Sequence, residues 1–225
     1  MVHSLDILSG DVARLRLAAQ APFLYRPGQF VELITPEGVA RHYSIASVPE
    51  EDDFLELHIR LRPSGRMSGF IRSGLRAGDS LRLAGPSGVC VYDDGSSDRP
   101  LVLVGAGTGL APLWGILRDA QRRGHRAPIR LYHGARDSSG LYLDEELRER
   151  ADLHDNFAYL PRAFDAAAAG EGDIAAAVIA NEADLAGSDF FLCGGEGLVS
   201  RLKRELFLRG ARLNRIRSDA FSPAT

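Results

Sequence analysis

The chain has 225 residues, 45% of them hydrophobic and 25% charged, with a formal net charge of −3. This length leaves room for two compact halves, and the composition is that of an ordinary water-soluble globular protein. The acid excess argues against a nucleic-acid partner; the 2 cysteines are too few for a disulfide framework or an iron–sulfur cluster, and no apolar run is long enough for a membrane span.

The opening MVHSLDILSG lacks a basic and then apolar leader, so the cytoplasm is the expected compartment. Val12, Leu15 and Leu17 fall in a strand-like run. Phe30–Ile34, Tyr43–Ala46, Phe54–Leu61 and Ser80–Leu83 follow, parted by RPGQ, TPEG, VPEEDD and AGD. Short strands at such spacing predict a six-stranded antiparallel β-barrel over residues 1–96, interrupted by a helical turn near Met67–Gly74. The polar stretch Asp93–Pro100 reads as a linker. Beyond it, Leu101–Val104, Ile129–His133, Phe157–Leu160 and Phe190–Cys193 read as apolar strands. They alternate with helical segments near Leu110–Arg123, Asp144–Arg150, Ile174–Ala180 and Leu198–Arg209. That alternation predicts an α/β domain over residues 97–225, with a parallel sheet covered on both faces. Leu213–Arg217 offers a last strand, and the alanines at 166–169 and 175–177 read as loop and helix filler.

Four clusters carry chemistry. GAGTGLAP, Gly105–Pro112, follows an apolar strand and opens a helix, so its amides and the helix dipole face an incoming anion while Gly105, Gly107 and Gly109 let a pyrophosphate approach the backbone. Thr108 can cap that helix, and Pro112 suits its first turn. A tight strand–helix connection would use the same glycines. RHYS, Arg41–Ser44, lies on a strand, with Arg41 and Tyr43 on one side and His42 and Ser44 on the other; an aromatic face suits a heterocycle and an arginine fork suits a diphosphate. A barrel strand with a core tyrosine is the plainer alternative. GRMS, Gly65–Ser68, opens a second short helix in the same half. Cys193-Gly194-Gly195-Glu196 ends a strand at the edge where ligands of open parallel sheets sit. Asp219-Ala220-Phe221 lies in a tail that would ordinarily fray. The 6 histidines show no metal-ligand spacing, and neither a nucleophile elbow nor a Walker lysine is present.

In chain order, RPGQF, RHYSIAS, GRMS, AGPSG, GAGTGLAPL, YHGARDSSGLY, CGGEG and the DAF tail resemble the ferredoxin–NADP reductase superfamily, above all the reductase components of bacterial multicomponent oxygenases and their flavin-reductase relatives. The likeness covers nearly the whole chain. It implies an FAD-binding first half and a second half binding NADH or NADPH. On this resemblance Arg41 contacts the flavin pyrophosphate, Tyr43 stacks on the isoalloxazine and Ser44 bonds near N5. His58, Ile59 and Arg60 line the FAD, and Gly65, Arg66, Met67 and Ser68 hold its phosphates. Gly105, Gly107, Thr108 and Gly109 would hold the nicotinamide dinucleotide, with Arg136 and Asp137 at its adenosine end and Cys193 and Gly194 by the reactive nicotinamide carbon. Asp219 and Phe221 match the acid-x-aromatic ending, whose aromatic covers the flavin.

The plant-type iron–sulfur run that many oxygenase reductases carry is absent from this sequence, and the usual C-G-P is Cys193-Gly194-Gly195 here. The resemblance thus implies an NAD(P)H-dependent flavoprotein reductase, monomeric, passing electrons to a separate ferredoxin, an oxygenase component or free flavin, or to an iron–sulfur domain outside this sequence. NADH is the expected donor, by likeness to the oxygenase reductases. A free-flavin reductase is a close variant, and a non-catalytic NAD(P)H-sensing module is the rival from another class.

Overall fold

The structure is a computed structural model describing residues 1–19, 21–164 and 173–222. Its first half carries strands β1 (Val2–Ser9), β2 (Val12–Leu17), β3 (Phe30–Ile34), β4 (Ala40–Ser44), β5 (Leu55–Arg60) and β6 (Arg82–Ser87), with the short helix α1 (Arg66–Arg72) between the last two. These six strands stand as two 3-stranded antiparallel sheets, β1-β2-β5 and β4-β3-β6, rather than one six-stranded barrel. The sheets meet at corners. Residues leaving β4 bridge Ile45 to Leu57, and Val2 exchanges backbone hydrogen bonds with Gly78 and Asp79 in the turn before β6. Strand β1 has no counterpart in the sequence reading, because Leu5, partly covered, and Ile7, exposed, alternate with polar residues. Strand β6 begins two residues later than expected and runs through Gly85 and Pro86, residues that weaken a strand pattern.

The second half supplies β7 (Leu101–Ala106), α2 (Leu110–Arg122), β8 (Ile129–Ala135), α3 (Asp144–Leu153), β9 (Phe157–Ala163), α4 (Ile174–Asn181), β10 (Asp189–Gly195), α5 (Glu196–Leu208) and β11 (Ile216–Phe221). The five parallel strands are ordered β11-β10-β7-β8-β9. Leu101 and Leu103 pack on the α2 and α3 side, whereas Val102 and Val104 pack on the α4 and α5 side. A strand buried on both faces reads as an unbroken apolar run, as Leu101–Val104 does. The tail expected to fray is β11, in register with β10. The alanines at 175–177 lie in α4, and those at 166–169 lie outside the described residues.

The halves share a core. Val12, Cys90 and Tyr92 from the first pack among Leu103, Leu113, Ile116 and Phe191 of the second. On β5, Leu55, Leu57 and Ile59 enter the first half's core, while Glu56 and His58 take the other face, where His58 meets Tyr142. A further contact is ionic. The Arg118 guanidinium on α2 donates to Glu51 and Asp52 in the β4–β5 connection, each at 2.8 Å. Partial exposure keeps such a clamp modest and salt-sensitive. Arg118→Ala is expected to cost about 1 kcal/mol of unfolding free energy, and less in high salt. Urea denaturation at low and high salt measures the difference; identical low-salt midpoints for parent and variant would refute the clamp.

Candidate functional site

The chain leaves β7 toward β8 on one side of the sheet and returns to β10 on the other, so the carboxyl ends of β7 and β10 flank a topological switch point. Gly105–Gly109 and Cys193–Gly195 meet there. Gly107 has φ +54°, and a Cβ on it would lie 2.7 Å from the Arg60 guanidinium, which reaches over from β5. A Cβ on Gly109 would collide with the carbonyl oxygen of Cys193, and one on Gly105 would lie 2.9 Å from the Gly109 carbonyl oxygen. The glycines therefore let two strand ends close on one turn. That turn is a 3₁₀ turn over Gly107–Gly109, and Gly109 rather than Thr108 is the N-cap of α2, without a side-chain cap. Pro112 falls in the first turn of α2, where its missing N–H costs little.

Ser44 at the end of β4 reaches this point from the other half. Its hydroxyl donates to Asp219 Oδ2 at 2.9 Å, and Asp219 lies opposite Cys193 in the β10–β11 register. Burial, outweighing the Ser44 hydrogen bond and the nearby His42, lifts the Asp219 carboxyl above its ordinary range. Cys193 reaches the expected strand end, but its thiol is turned into the core, with Sγ 3.9 Å from Cys90 Sγ. Burial and then the Cys90 contact push that thiol well up, which keeps it protonated.

Along β4, Arg41 and Tyr43 lie opposite Leu33 and Val31, and His42 and Ser44 lie opposite Glu32 and Phe30, so the expected alternation holds. Tyr43 packs on the first half's core, and burial pushes its hydroxyl up to about 12. Arg41 donates to the Ala40 carbonyl, and the exposed His42 meets Phe30 edge-on. Gly65 caps α1, Arg66 opens it, and the buried Ser68 hydroxyl accepts from Arg62 N–H at 2.9 Å. The side chains of Ile59 and Met67 are core residues, and the His58 imidazole is closed between the halves with both nitrogens engaged.

A cleft of about 730 Å³ opens beside the glycine turn. Arg60, Thr108, Arg136, Gly195 and Phe221 are among the residues lining it. Glu196, at the end of the Cys193–Glu196 cluster, lines it too, and so do Arg62 and Phe164, which the sequence reading missed. Arg62 had a signal, since period-two alternation carried past Arg60 puts it on the same side. Asp137 turns its carboxylate onto Ser139 Oγ and Gly140 N–H, and these bonds, Ser139 foremost, hold it below its usual range. The volume suits a small-molecule ligand, and three arginines beside a glycine turn at a helix start are the donor set for a dinucleotide diphosphate. Among the described residues no group of three or more metal-ligating side chains occurs, and no helix is long and apolar enough to cross a membrane.

Residues 1–92 match the family model of the oxidoreductase FAD-binding domain, and residues 103–204 match that of the oxidoreductase NAD-binding domain. The chain is 35% identical over 227 residues to the reductase subunit of an aromatic O-demethylase from Amycolatopsis sp., covering 97% of this chain and 67% of that protein. It is 35% identical over 217 residues to the ferredoxin–NAD(P)(+) reductase component of the naphthalene 1,2-dioxygenase system of Pseudomonas putida, covering 95% of this chain and 65% of that one. The crystal structure of the Amycolatopsis cytochrome P450 reductase GcoB superposes with a TM-score of 0.91 at 34% identity, over 100% of this chain and 69% of that one. The chain thus spans about two thirds of the length of the relatives it matches.

Two outcomes follow from this geometry. Gly109→Ala forces the α2 start away from Cys193 and is expected to cost roughly 1–3 kcal/mol, as overpacking does, read by calorimetry; an unchanged melting temperature would contradict the close seating. A carboxyl whose folded pKa is raised stabilises below its unfolded pKa and withdraws that stability as pH rises through the folded value. Asp219→Asn removes this penalty, so its melting temperature relative to the parent should climb as pH rises across that window. A difference that stays flat or falls with pH would show that Asp219 is not held this way.

Proposed function

The chain belongs to the ferredoxin–NADP reductase superfamily, alongside the reductase components of bacterial oxygenase systems, and from that premise we propose that it takes hydride from NAD(P)H and delivers electrons to a separate ferredoxin or oxygenase component. The reading rests above all on one observation, the convergence of Ser44, Asp219 and the glycine turn from opposite halves of the chain. Sensing a nucleotide without turnover needs no such paired groups. The division at residue 96 is proposed as the boundary between the flavin and nicotinamide halves, and the protein is proposed to act as a monomer in the cytoplasm.

The residues fit both ligands. In the first half, Arg41 pairs with the flavin diphosphate, Tyr43 offers its ring to the isoalloxazine, and Gly65, Arg66 and Ser68 at the start of α1 take up phosphate. Met67 and Ile59 act through their backbone and through the core beneath the site. In the second half, Gly105–Gly109 hold the nicotinamide dinucleotide, Arg136 and Asp137 border its adenosine end, and NADH is the favoured donor. Bound FAD supplies the exchange between a two-electron donor and one-electron acceptors.

The protein's task is alignment and proton control. Holding two reactants in register is worth roughly 7–11 kcal/mol of barrier. Ser44, whose hydroxyl donates to Asp219, keeps lone pairs that would accept a hydrogen bond from flavin N5–H, and the buried Asp219 carboxyl behind it would take up that proton when electrons leave. Gly194, at φ +140°, and Gly195, with open space around its Cα, leave the end of β10 bare for the nicotinamide, beside the Cys193 backbone. Phe221, which lines the cleft, would cover the flavin edge until coenzyme arrives. Ser44→Ala is expected to retain FAD while its flavin reduction by NADH slows by about 100-fold, the scale of removing one oriented hydrogen-bonding group at a reacting atom. Stopped-flow absorbance on the FAD-loaded protein measures this; bleaching at the parent rate would remove Ser44 from the mechanism.

A further inference from the structure

We propose that Tyr142 is a positioning residue, tying the coenzyme-side loop 136–143 to the flavin-side strand β5 through His58. The inference rests on the functional reading above. It starts from a buried polar chain that the hydride chemistry leaves unused. Arg16 Nε donates to Glu56 Oε2 at 2.8 Å, Glu56 Oε1 lies 3.0 Å from His58 Nε2, and His58 Nδ1 lies 3.2 Å from the Tyr142 hydroxyl. Burial alone would push the Glu56 carboxyl up, but bonds and charge from His58 and Arg16 outweigh it and hold it at about 2. An ionised Glu56 fixes the proton of His58 Nε2 on its own side. Nδ1 then meets the tyrosine hydroxyl as acceptor from it or donor to it, and is satisfied either way.

The Tyr142 ring is also clamped. His58 stands edge-on to it at 5.2 Å and 88°, and His133 stands edge-on at 5.7 Å and 84°. His133 pairs in register with Gly105 and turns Nδ1 to Tyr159 at 3.1 Å. One tyrosine therefore touches β5 two residues before Arg60 and β8 beside the glycine turn. The next residue, Leu143, has φ +57°, the sole left-handed non-glycine among the described residues. Such a conformation persists only where surrounding packing imposes it, and both Tyr142 and Leu143 are buried. A loop anchored this firmly carries Arg136 and Asp137 at its other end. Its register against β5 sets where the coenzyme's adenosine half sits relative to Ser44.

The test uses the FAD-loaded full chain with NADH in stopped flow. Tyr142→Phe keeps the ring clamp and removes the hydroxyl. It should lower the limiting rate of flavin reduction about tenfold, the scale of a small misalignment, with the coenzyme half-saturation concentration changed less than about twofold. Reduction by dithionite, which needs no coenzyme alignment, should match the parent. His58→Gln, which also gives up the edge-on contact with the ring, should lose at least as much, and the double variant should lose no more than the worse single, because both break the same His58–Tyr142 hydrogen bond. A parent-like limiting rate, losses that multiply, or a defect confined to half-saturation would overturn the proposal. If Tyr142→Phe does not fold, His58→Gln carries the same expectations; failure of both to fold would assign the contact to stability alone and overturn positioning. A parent protein that holds no FAD or is not reduced by NADH would instead sink the functional reading, before any variant is compared.

Discussion

Asp219 is on the last strand of the parallel sheet and Ser44 on the fourth strand of the chain, yet a hydrogen bond of 2.9 Å joins them across 175 residues. Both are largely withdrawn from water, so the contact is strong only while the halves stay closed over it. The other features follow from that closure. The glycine turn must be bare for β10 to come near, β11 must pair with β10 to hold Asp219 opposite Cys193, and β4 must end where it does for its serine to arrive.

Closure is secured by means that differ in how they respond to conditions. The apolar share, with Val12, Cys90 and Tyr92 seated in the second half's core, is not screened by salt. The Arg118 clamp is not. The Tyr92 hydroxyl adds a buried contact with His125 Nδ1 at 3.1 Å, on the same side of the sheet as α2. A site built between two bodies needs such redundancy, because small errors of alignment cost much of the benefit of proximity.

Much of this was legible in the residues. Unbroken apolar runs marked β7 and β10 because a doubly covered strand has no polar face to blur the signal. The glycines of 105–109 were readable because their backbone demands leave no room for a side chain. Strand β1 was not, since Leu5 is only partly covered and Ile7 is exposed. The sealed His58 and the inward Cys193 thiol were also hidden, for a different reason. A motif fixes where the backbone of such a residue goes, but the direction of its side chain depends on the other half, and Tyr142 and Cys90 lie far away along the chain. Asp219 was legible only through the resemblance, because position alone predicts a frayed tail and tertiary pairing with β10 overrides position.

Cys90 shows how far the halves have grown into each other. Its carbonyl is packed so closely on Gly28, at φ +93°, that no side chain fits there, and Ile116 of α2 fills the remaining space. A graft that exchanged the nucleotide half for a relative's would leave that seat with the wrong occupant, even if cut cleanly within the linker. The unit inherited as a block therefore runs past the linker to include Gly28, Cys90 and the face of α2 they support, and recombination inside it should leave chimaeras with voids at the seam.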